Sequence, residues 1–98
     1  MKRIVIFKAK WCGPCKQYEE WLNDYFPPEG WSLHIMEETN KEHKRFFEDF
    51  RIEALPTTLL ISEDNKQLAE RTGALAPGVL TRWTVSYTHL TLPTIYSV

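Results

Sequence analysis

The most informative segment of the chain reads Trp11-Cys12-Gly13-Pro14-Cys15-Lys16. It follows residues 4–7, a short apolar run rich in β-branched side chains, which predicts a buried strand. It precedes an apolar stripe at helical spacing, which predicts a helix. Two cysteines separated by two residues, between a strand and the start of a helix, form an arrangement typical of redox proteins.

The position of the cysteine pair has a chemical reason. The thiolate is the nucleophile in disulfide exchange, and the amino end of a helix offers partial positive charge and free N–H groups that favour it. Two intervening residues let the second sulfur reach the first and expel the partner of a mixed disulfide. Gly13 allows close approach of a substrate backbone, and Pro14 stiffens the first turn. Three nearby lysines are expected to favour the anion at Cys12 further: Lys8, Lys10 and Lys16.

Aromatic residues dominate the predicted helices. The first helix carries its apolar stripe at Tyr18, Trp21, Leu22, Tyr25 and Phe26, and the prolines at 27 and 28 end it. Thr39, with Glu42 three residues later, predicts a capping box for the second helix. We expect a set of aromatic side chains from both helices to lie in the core: Trp21, Tyr25, Phe26, Phe46, Phe47 and Phe50.

The remaining segments predict three strands and a last helix. Residues 31–36 alternate apolar and polar side chains as a strand does. Residues 57–62 and 67–72 predict two strands of a hairpin joined by a polar turn. Proline suits the first turn of a last helix over residues 77–83. The order β-α-β-α-β-β-α predicts an α/β fold with a central mixed sheet flanked by helices.

Length and composition limit the function classes. With 98 residues the chain has room for one domain, and its net charge of −1 gives no reason to expect nucleic acid or a membrane as partner. The apolar run at the start stops at Lys8, which is too short for a signal peptide. Two closely spaced cysteines do not resemble a disulfide-stapled secreted scaffold. We therefore expect a cytoplasmic protein.

The last residues of the chain do not continue the helical pattern. Residues 85–98 resemble the in-frame translation of a transposase-type sequencing adapter. We therefore expect a domain over residues 1–84, with a truncated last helix, followed by a non-native tail over residues 85–98. A natural C-terminal strand is the alternative. On the first interpretation, residues 92–94 repeat the Leu-Pro-Thr of residues 55–57 by coincidence.

The cysteine segment as a whole resembles the active site of the thioredoxin family. Two later segments resemble the same family, since residues 52–57 match its cis-proline loop and residues 72–75 match its substrate-facing glycine loop. The resemblance covers about residues 3–83. It implies a thioredoxin-like fold and a redox activity based on the cysteine pair.

The resemblance also implies roles for individual residues. It implies that Cys12 is the attacking, more exposed thiol and that Cys15 is the buried thiol that resolves the mixed disulfide. It implies a cis peptide bond before Pro56, which lies against the sulfur atoms, while Leu55 offers backbone groups to an extended substrate. The docking surface implied for the substrate consists of Trp11, Leu55, Pro56, Gly73 and Ala74. Supporting positions in the active-site segment are Gly13, Pro14 and Lys16.

The chain departs from the family pattern in three ways. Members of the family usually carry a strand and a helix before the first strand seen here, so this chain is glutaredoxin-sized. They also carry a buried acid six positions before the first cysteine, where this chain has Ile6. The lysine that normally neighbours this acid has no clear match, the nearest residues being Met36 and Glu37. We therefore expect a slower or water-assisted resolving step at Cys15.

Other interpretations of these residues are weaker. If the cysteines were only structural thiols, the Gly-Pro pair between them and the flanking Trp11 would have no explanation. A zinc site needs four ligands, and His34 and His43 do not have the spacing of a zinc motif. A thioredoxin-fold binding subunit, or a glutaredoxin-like protein in a larger assembly, is the alternative function.

The sequence therefore predicts a thiol–disulfide oxidoreductase that reduces protein disulfides through Cys12 and Cys15. No bound cofactor is expected, because the redox group is the disulfide between these two residues. The expected partners are disulfide-containing proteins and, by resemblance, a thioredoxin reductase. We expect a monomer that binds neither nucleic acid nor membranes.

Overall fold

A mixed sheet with helices on both faces forms the domain. The computed structural model describes residues 1–88. Their elements follow in the order β1 (Lys2–Lys8), α1 (Gly13–Leu22), β2 (Trp31–Glu37), α2 (Lys44–Asp49), β3 (Thr57–Ile61), β4 (Gln67–Thr72) and α3 (Pro77–Ser86). This order is the predicted β-α-β-α-β-β-α arrangement, and the predicted α/β fold is confirmed.

The strands lie in the order β2-β1-β3-β4, so β1 and β3 are the central pair. β1 runs parallel to β2 and antiparallel to β3, and β3 pairs antiparallel with β4. All five residues of β3 are buried, as are residues 4–7 of β1. Continuous apolar runs suit these two strands because both of their faces are covered. β2 and β4 are edge strands and are more exposed.

Alternate residues of the central strands serve two separate cores. On one face, α1 and α3 pack on the sheet around Ile4, Ile6 and Leu60. On the other face, Val5 and Phe7 form a smaller cluster that Phe47 and Phe50, from α2 and its end, partly cover. Side chains that alternate along a strand point to opposite faces, so the single run in β1 supplies both clusters.

The prediction that all six aromatic side chains lie in the core is wrong in part. The Phe26 side chain is 88% exposed, and those of Trp21 and Phe46 are also exposed, at 39% and 40%. α1 ends at Leu22, one turn earlier than its apolar stripe indicated, so Phe26 lies outside the helix. A residue before a proline avoids the helical region, which disfavours a helical conformation at Phe26. Tyr25, Phe47 and Phe50 are partly buried against the two cores.

The capping box predicted for the second helix does not form. α2 begins only at Lys44, after His43, and no side chain caps it. The Thr39 N–H donates to Glu37 Oε2, and the Glu42 N–H donates to Asn40 Oδ1. These local bonds to carboxylate and amide oxygens form a turn that competes with helix formation at this point.

The last helix is longer than expected. α3 continues through Ser86, three residues beyond the predicted end at Trp83, so the prediction that the helical pattern stops there is wrong. Tyr87 packs its ring against Trp83, and Thr88 Oγ1 accepts a hydrogen bond from the Trp31 indole. Residues 85–88 are therefore packed with the domain. The rest of the proposed tail, residues 89–98, lies outside the described residues, and its non-native origin stays a prediction.

None of the helices within residues 1–88 is both long and apolar enough to cross a membrane.

The contrast between a buried and an exposed phenylalanine allows a direct test of this packing. Phe7 is fully buried, and its ring meets Phe47 edge to face with centroids 4.9 Å apart. We expect Phe7→Leu to lower the free energy of unfolding by about 1–3 kcal/mol, because it loses the aromatic pair and repacks the core. Phe26→Leu is the matched control and should change it by less than about 0.5 kcal/mol. Urea unfolding measures both, and equal losses would contradict the assigned core.

Candidate functional site

The cysteine pair lies at the amino end of α1. Cys12 is the N-cap residue, with extended backbone angles, and its sulfur accepts a hydrogen bond from the Cys15 N–H at 3.2 Å. The two residues are joined by a disulfide, with their Cα atoms 5.2 Å apart. Pro14 occupies the first turn, where its missing N–H costs no helical hydrogen bond. The sulfur atoms are therefore close enough to exchange, and the Cys12 sulfur lies where a helix favours negative charge.

A small apolar cluster surrounds the disulfide. Ala9, Cys12 and Cys15 are buried together, and Leu55 packs against them. Cys12 is 5% exposed and Cys15 is 1% exposed, so Cys12 is the more accessible of the two. The Leu55–Pro56 peptide bond is cis, as the resemblance implied, and Pro56 is buried. The loop before β3 therefore forms one wall of the site.

The predicted glycine loop lies beside this wall. Thr57 and Thr72 are paired residues of β3 and β4, which brings the segments before and after them together. The Gly73 N–H donates to the Pro56 carbonyl at 2.8 Å. Gly73 has a φ of +93°, a conformation that side-chain-bearing residues rarely adopt. Ala74 packs towards the larger core instead. The structure therefore joins Gly73, but not Ala74, to the Pro56 loop.

Trp11 forms the exposed rim of the site. Its side chain is 72% exposed, and its indole N–H donates to Glu38 Oε2 at 3.0 Å. Nothing local in the sequence connects Glu38 with Trp11. The hydrogen bond holds a large aromatic surface beside the disulfide. The neighbouring Gly13 is exposed, and a side chain placed there would meet nothing within 4 Å.

The three lysines near the site differ in their surroundings. Lys8 Nζ lies 2.8 Å from Glu19 Oε2 and 3.9 Å from Glu37 Oε1. Two carboxylates therefore balance the charge of Lys8, and its support for an anion at Cys12 stays a prediction. Lys8 ties β1 to α1 and β2. Lys10 and Lys16 are exposed and remain the cations next to the cysteines in sequence.

A buried hydroxyl pair lies between α1 and β3. The Tyr18 hydroxyl and Thr58 Oγ1 are 2.7 Å apart, and either group can be the donor. Burial raises the pKa of Tyr18 to about 12, and the hydrogen bond with Thr58 offsets part of this rise. Ile6 is opposite Thr58 in the strand pairing and is also buried. The sequence pattern assigned Tyr18 to the apolar stripe of the first helix but gave no sign of its polar partner.

The histidines considered for a zinc site have other contacts. His34 Nε2 lies 2.9 Å from the Ser32 hydroxyl, and His43 Nδ1 accepts a hydrogen bond from the Glu37 N–H. Within residues 1–88, no three histidine, cysteine, aspartate or glutamate side chains are grouped as metal ligands.

Comparisons with known proteins agree with this geometry. The thioredoxin family model matches residues 1–85. The chloroplastic thioredoxin-like protein CITRX of Solanum tuberosum is 35% identical over 78 residues, which cover 76% of this chain and 42% of that protein. The relative from Solanum lycopersicum matches equally well. The chain thus spans less than half the length of the curated relatives that it matches.

Solved thioredoxin structures share the fold. A mutant thioredoxin from Halobacterium salinarum superposes with a TM-score of 0.74 at 23% identity, covering 89% of this chain and 74% of that one. The thioredoxin of Malassezia sympodialis gives a TM-score of 0.70 at 20% identity, covering 87% of this chain and 73% of that one. At these identities the likeness concerns the fold.

The assignment of Lys8 to a structural role is testable. Lys8→Met would remove the cation that Glu19 and Glu37 share, and Glu37 Oε1 is buried with no hydrogen bond from residues 1–88. We expect a loss of about 1–3 kcal/mol in the free energy of unfolding, the usual cost of an uncompensated buried polar group. Lys66→Met, which removes an exposed pair with Asp64, is the matched control and should have no measurable effect. A Lys8 variant as stable as the control would refute the role.

Proposed function

Because the chain belongs to the thioredoxin family, we propose that it is a thiol–disulfide oxidoreductase that reduces disulfides in other proteins. The observation that carries this proposal is the position of the Cys12 sulfur. It caps α1, accepts the Cys15 N–H and is bonded to the second sulfur. In the reduced protein the same helix end favours a thiolate at Cys12, the nucleophile that disulfide exchange requires.

The proposed reaction has two exchange steps. The Cys12 thiolate attacks one sulfur of the substrate disulfide, and the other substrate sulfur leaves as a thiolate that takes up a proton. Cys15 then loses its proton to water, and its sulfur attacks Cys12. This forms the Cys12–Cys15 disulfide and releases the second substrate sulfur, which is protonated in turn. Two electrons pass from the dithiol to the substrate in each cycle.

We propose that the substrate docks along the rim described above. Trp11 offers exposed aromatic surface, and Glu38 holds its ring in place. Leu55 packs against the cysteines, and the Gly73 N–H donates to the carbonyl of the neighbouring Pro56. These three residues, together with Ala74, would contact an extended substrate segment. Gly13 leaves room for the substrate backbone, Pro14 stiffens the turn, and Lys16 adds positive charge.

The partners and location are proposed from the same premise. We propose that disulfide-containing proteins are the substrates, that a thioredoxin reductase restores the dithiol and that the protein acts as a monomer without a bound cofactor. No nucleic acid or membrane enters this proposal. We retain the prediction of a cytoplasmic location. The name of the Solanum relatives places those proteins in the chloroplast, which makes the plastid the alternative compartment for this chain.

Serine variants of the two cysteines test the reaction. We expect Cys12→Ser to abolish reduction of insulin disulfides, because it removes the attacking sulfur. We expect Cys15→Ser to attack normally but to accumulate a mixed disulfide with the substrate, because the resolving sulfur is missing. Precipitation of reduced insulin measures the first result, and mass spectrometry of the adduct measures the second.

The double serine variant is the control, since it should form no adduct. Reduction of insulin by Cys12→Ser at the wild-type rate would refute the proposed function. A double variant that lost all redox activity but still carried out the cellular role of the protein would favour the binding-subunit alternative.

A further inference from the structure

The larger core contains one tyrosine–threonine contact that is completely buried. Tyr18 is 1% exposed and Thr58 is 0% exposed, and their hydroxyl oxygens lie 2.7 Å apart. The side chains around them in this cluster are apolar, as Ile4, Ile6 and Leu60 show. A buried polar pair costs desolvation that an apolar pair of similar shape would avoid. Its presence at this depth therefore calls for an explanation beyond packing.

The hydroxyl pair joins the two segments that form the redox site. Tyr18 lies three residues after Cys15 in α1, and residues spaced by three share one face of a helix. Long side chains in a helix lean towards its amino end, which directs the Tyr18 ring towards the turn that carries Cys15. Thr58 lies two residues after the cis Pro56, on β3. The bond thus fixes the helix that holds Cys15 against the strand that begins after Pro56.

One proton of this pair is left over. Two hydroxyl groups carry two protons, and the hydrogen bond between them uses one. Within residues 1–88, neither hydroxyl has a second hydrogen-bond partner. Burial raises the pKa of Tyr18 to about 12, so its hydroxyl stays protonated throughout the physiological range. The pair therefore keeps one donor on the helix face that Tyr18 shares with Cys15, and Ile6, the neighbour of Thr58 across the sheet, offers none.

We propose that the Tyr18–Thr58 pair positions Cys15 for the resolving step and donates its remaining hydroxyl proton to the Cys15 sulfur, as a hydrogen bond, once the disulfide is open. In that step the Cys15 thiol loses its proton to water, and its sulfur attacks Cys12 while the substrate thiolate leaves. A neutral donor beside a buried sulfur favours the anion that has to form there. The inference rests on the proposed function, since it assigns positioning residues to one of its two steps.

The chain provides a matched control for this idea. The Tyr25 hydroxyl and Thr81 Oγ1 form a second tyrosine–threonine pair at 2.9 Å, between the end of α1 and α3. This pair has the same chemistry but lies beyond the carboxyl end of α1, while the cysteines lie at its amino end. A purely structural role predicts that removing either hydroxyl lowers stability, more so at the more buried Tyr18, without an effect confined to the redox step. A positioning role predicts effects on the redox step at Tyr18 alone.

The experiment compares Tyr18→Phe with Tyr25→Phe in two assays. Stopped-flow fluorescence with a protein disulfide separates the attack by Cys12 from the resolution by Cys15. Equilibration with glutathione buffers measures the dithiol–disulfide equilibrium. We expect Tyr18→Phe to slow resolution by about three- to tenfold, the effect of one lost hydrogen bond, and to leave attack within about twofold. We expect the same variant to shift the glutathione equilibrium about threefold towards the disulfide, because the reduced form loses its donor.

Two variants at Thr58 complete the test. Thr58→Ser keeps the hydroxyl and should resolve at the wild-type rate, whereas Thr58→Val should resemble Tyr18→Phe. If Tyr18→Phe folds poorly, the comparison of Thr58→Ser with Thr58→Val still tests the inference, because these two variants differ chiefly in the hydroxyl. Tyr25→Phe should match the wild type in both assays.

Three results would overturn the inference: unchanged resolution in Tyr18→Phe, equal slowing in Tyr18→Phe and Tyr25→Phe, or equal behaviour of the Ser and Val variants at Thr58. These results differ from a failure of the proposed function, which would appear as a wild-type protein that does not reduce the protein disulfide at all. The glutathione equilibrium would still test the Tyr18–Thr58 pair in that case, because it does not require a protein substrate.

Discussion

At the amino end of α1, the N–H of Cys15 donates to the sulfur of Cys12, and this contact sets the requirements for the rest of the structure. It requires a helix that begins at that residue, so that unpaired N–H groups face the sulfur. It also requires a rigid support, because a helix of ten residues has little stability alone. The sheet provides that support through Tyr18 and Leu22, which bury the helix against the central strands.

The two loops that complete the site depend on the same sheet. The cysteine loop follows β1 and the Pro56 loop precedes β3. Because these strands are antiparallel neighbours, both loops meet at the same end of the sheet. Gly73 follows β4 and joins them through its bond to the Pro56 carbonyl. Strand pairing alone therefore gathers residues that are far apart in the chain. Side-chain bonds such as that of Trp11 with Glu38 then refine the rim.

Local signals in the sequence predicted the strands, their order and the cysteine pair, because period and turn residues act over a few positions. The features that the pattern misses depend on where a helix ends or on partners distant in the sequence. Phe26 belongs to a helical pattern, yet it is exposed because α1 ends before it. Lys8 is next to the site in sequence but pairs with Glu19 and Glu37. The bond between Tyr18 and Thr58 depends on how α1 sits on β3, which no local pattern contains.

The hydrogen bond between Trp31 and Thr88 has a consequence for how the domain can be connected to other chains. Trp31 begins β2 and pairs with Lys2 at the start of β1, so Thr88 lies near the amino ends of both strands. The disulfide follows the opposite end of β1, about 20 Å away for a strand of seven residues. Lys2 and Thr88 therefore both lie at the end of the sheet opposite the sulfur atoms. A protein fused before Lys2 would therefore be attached far from the reactive side of the domain.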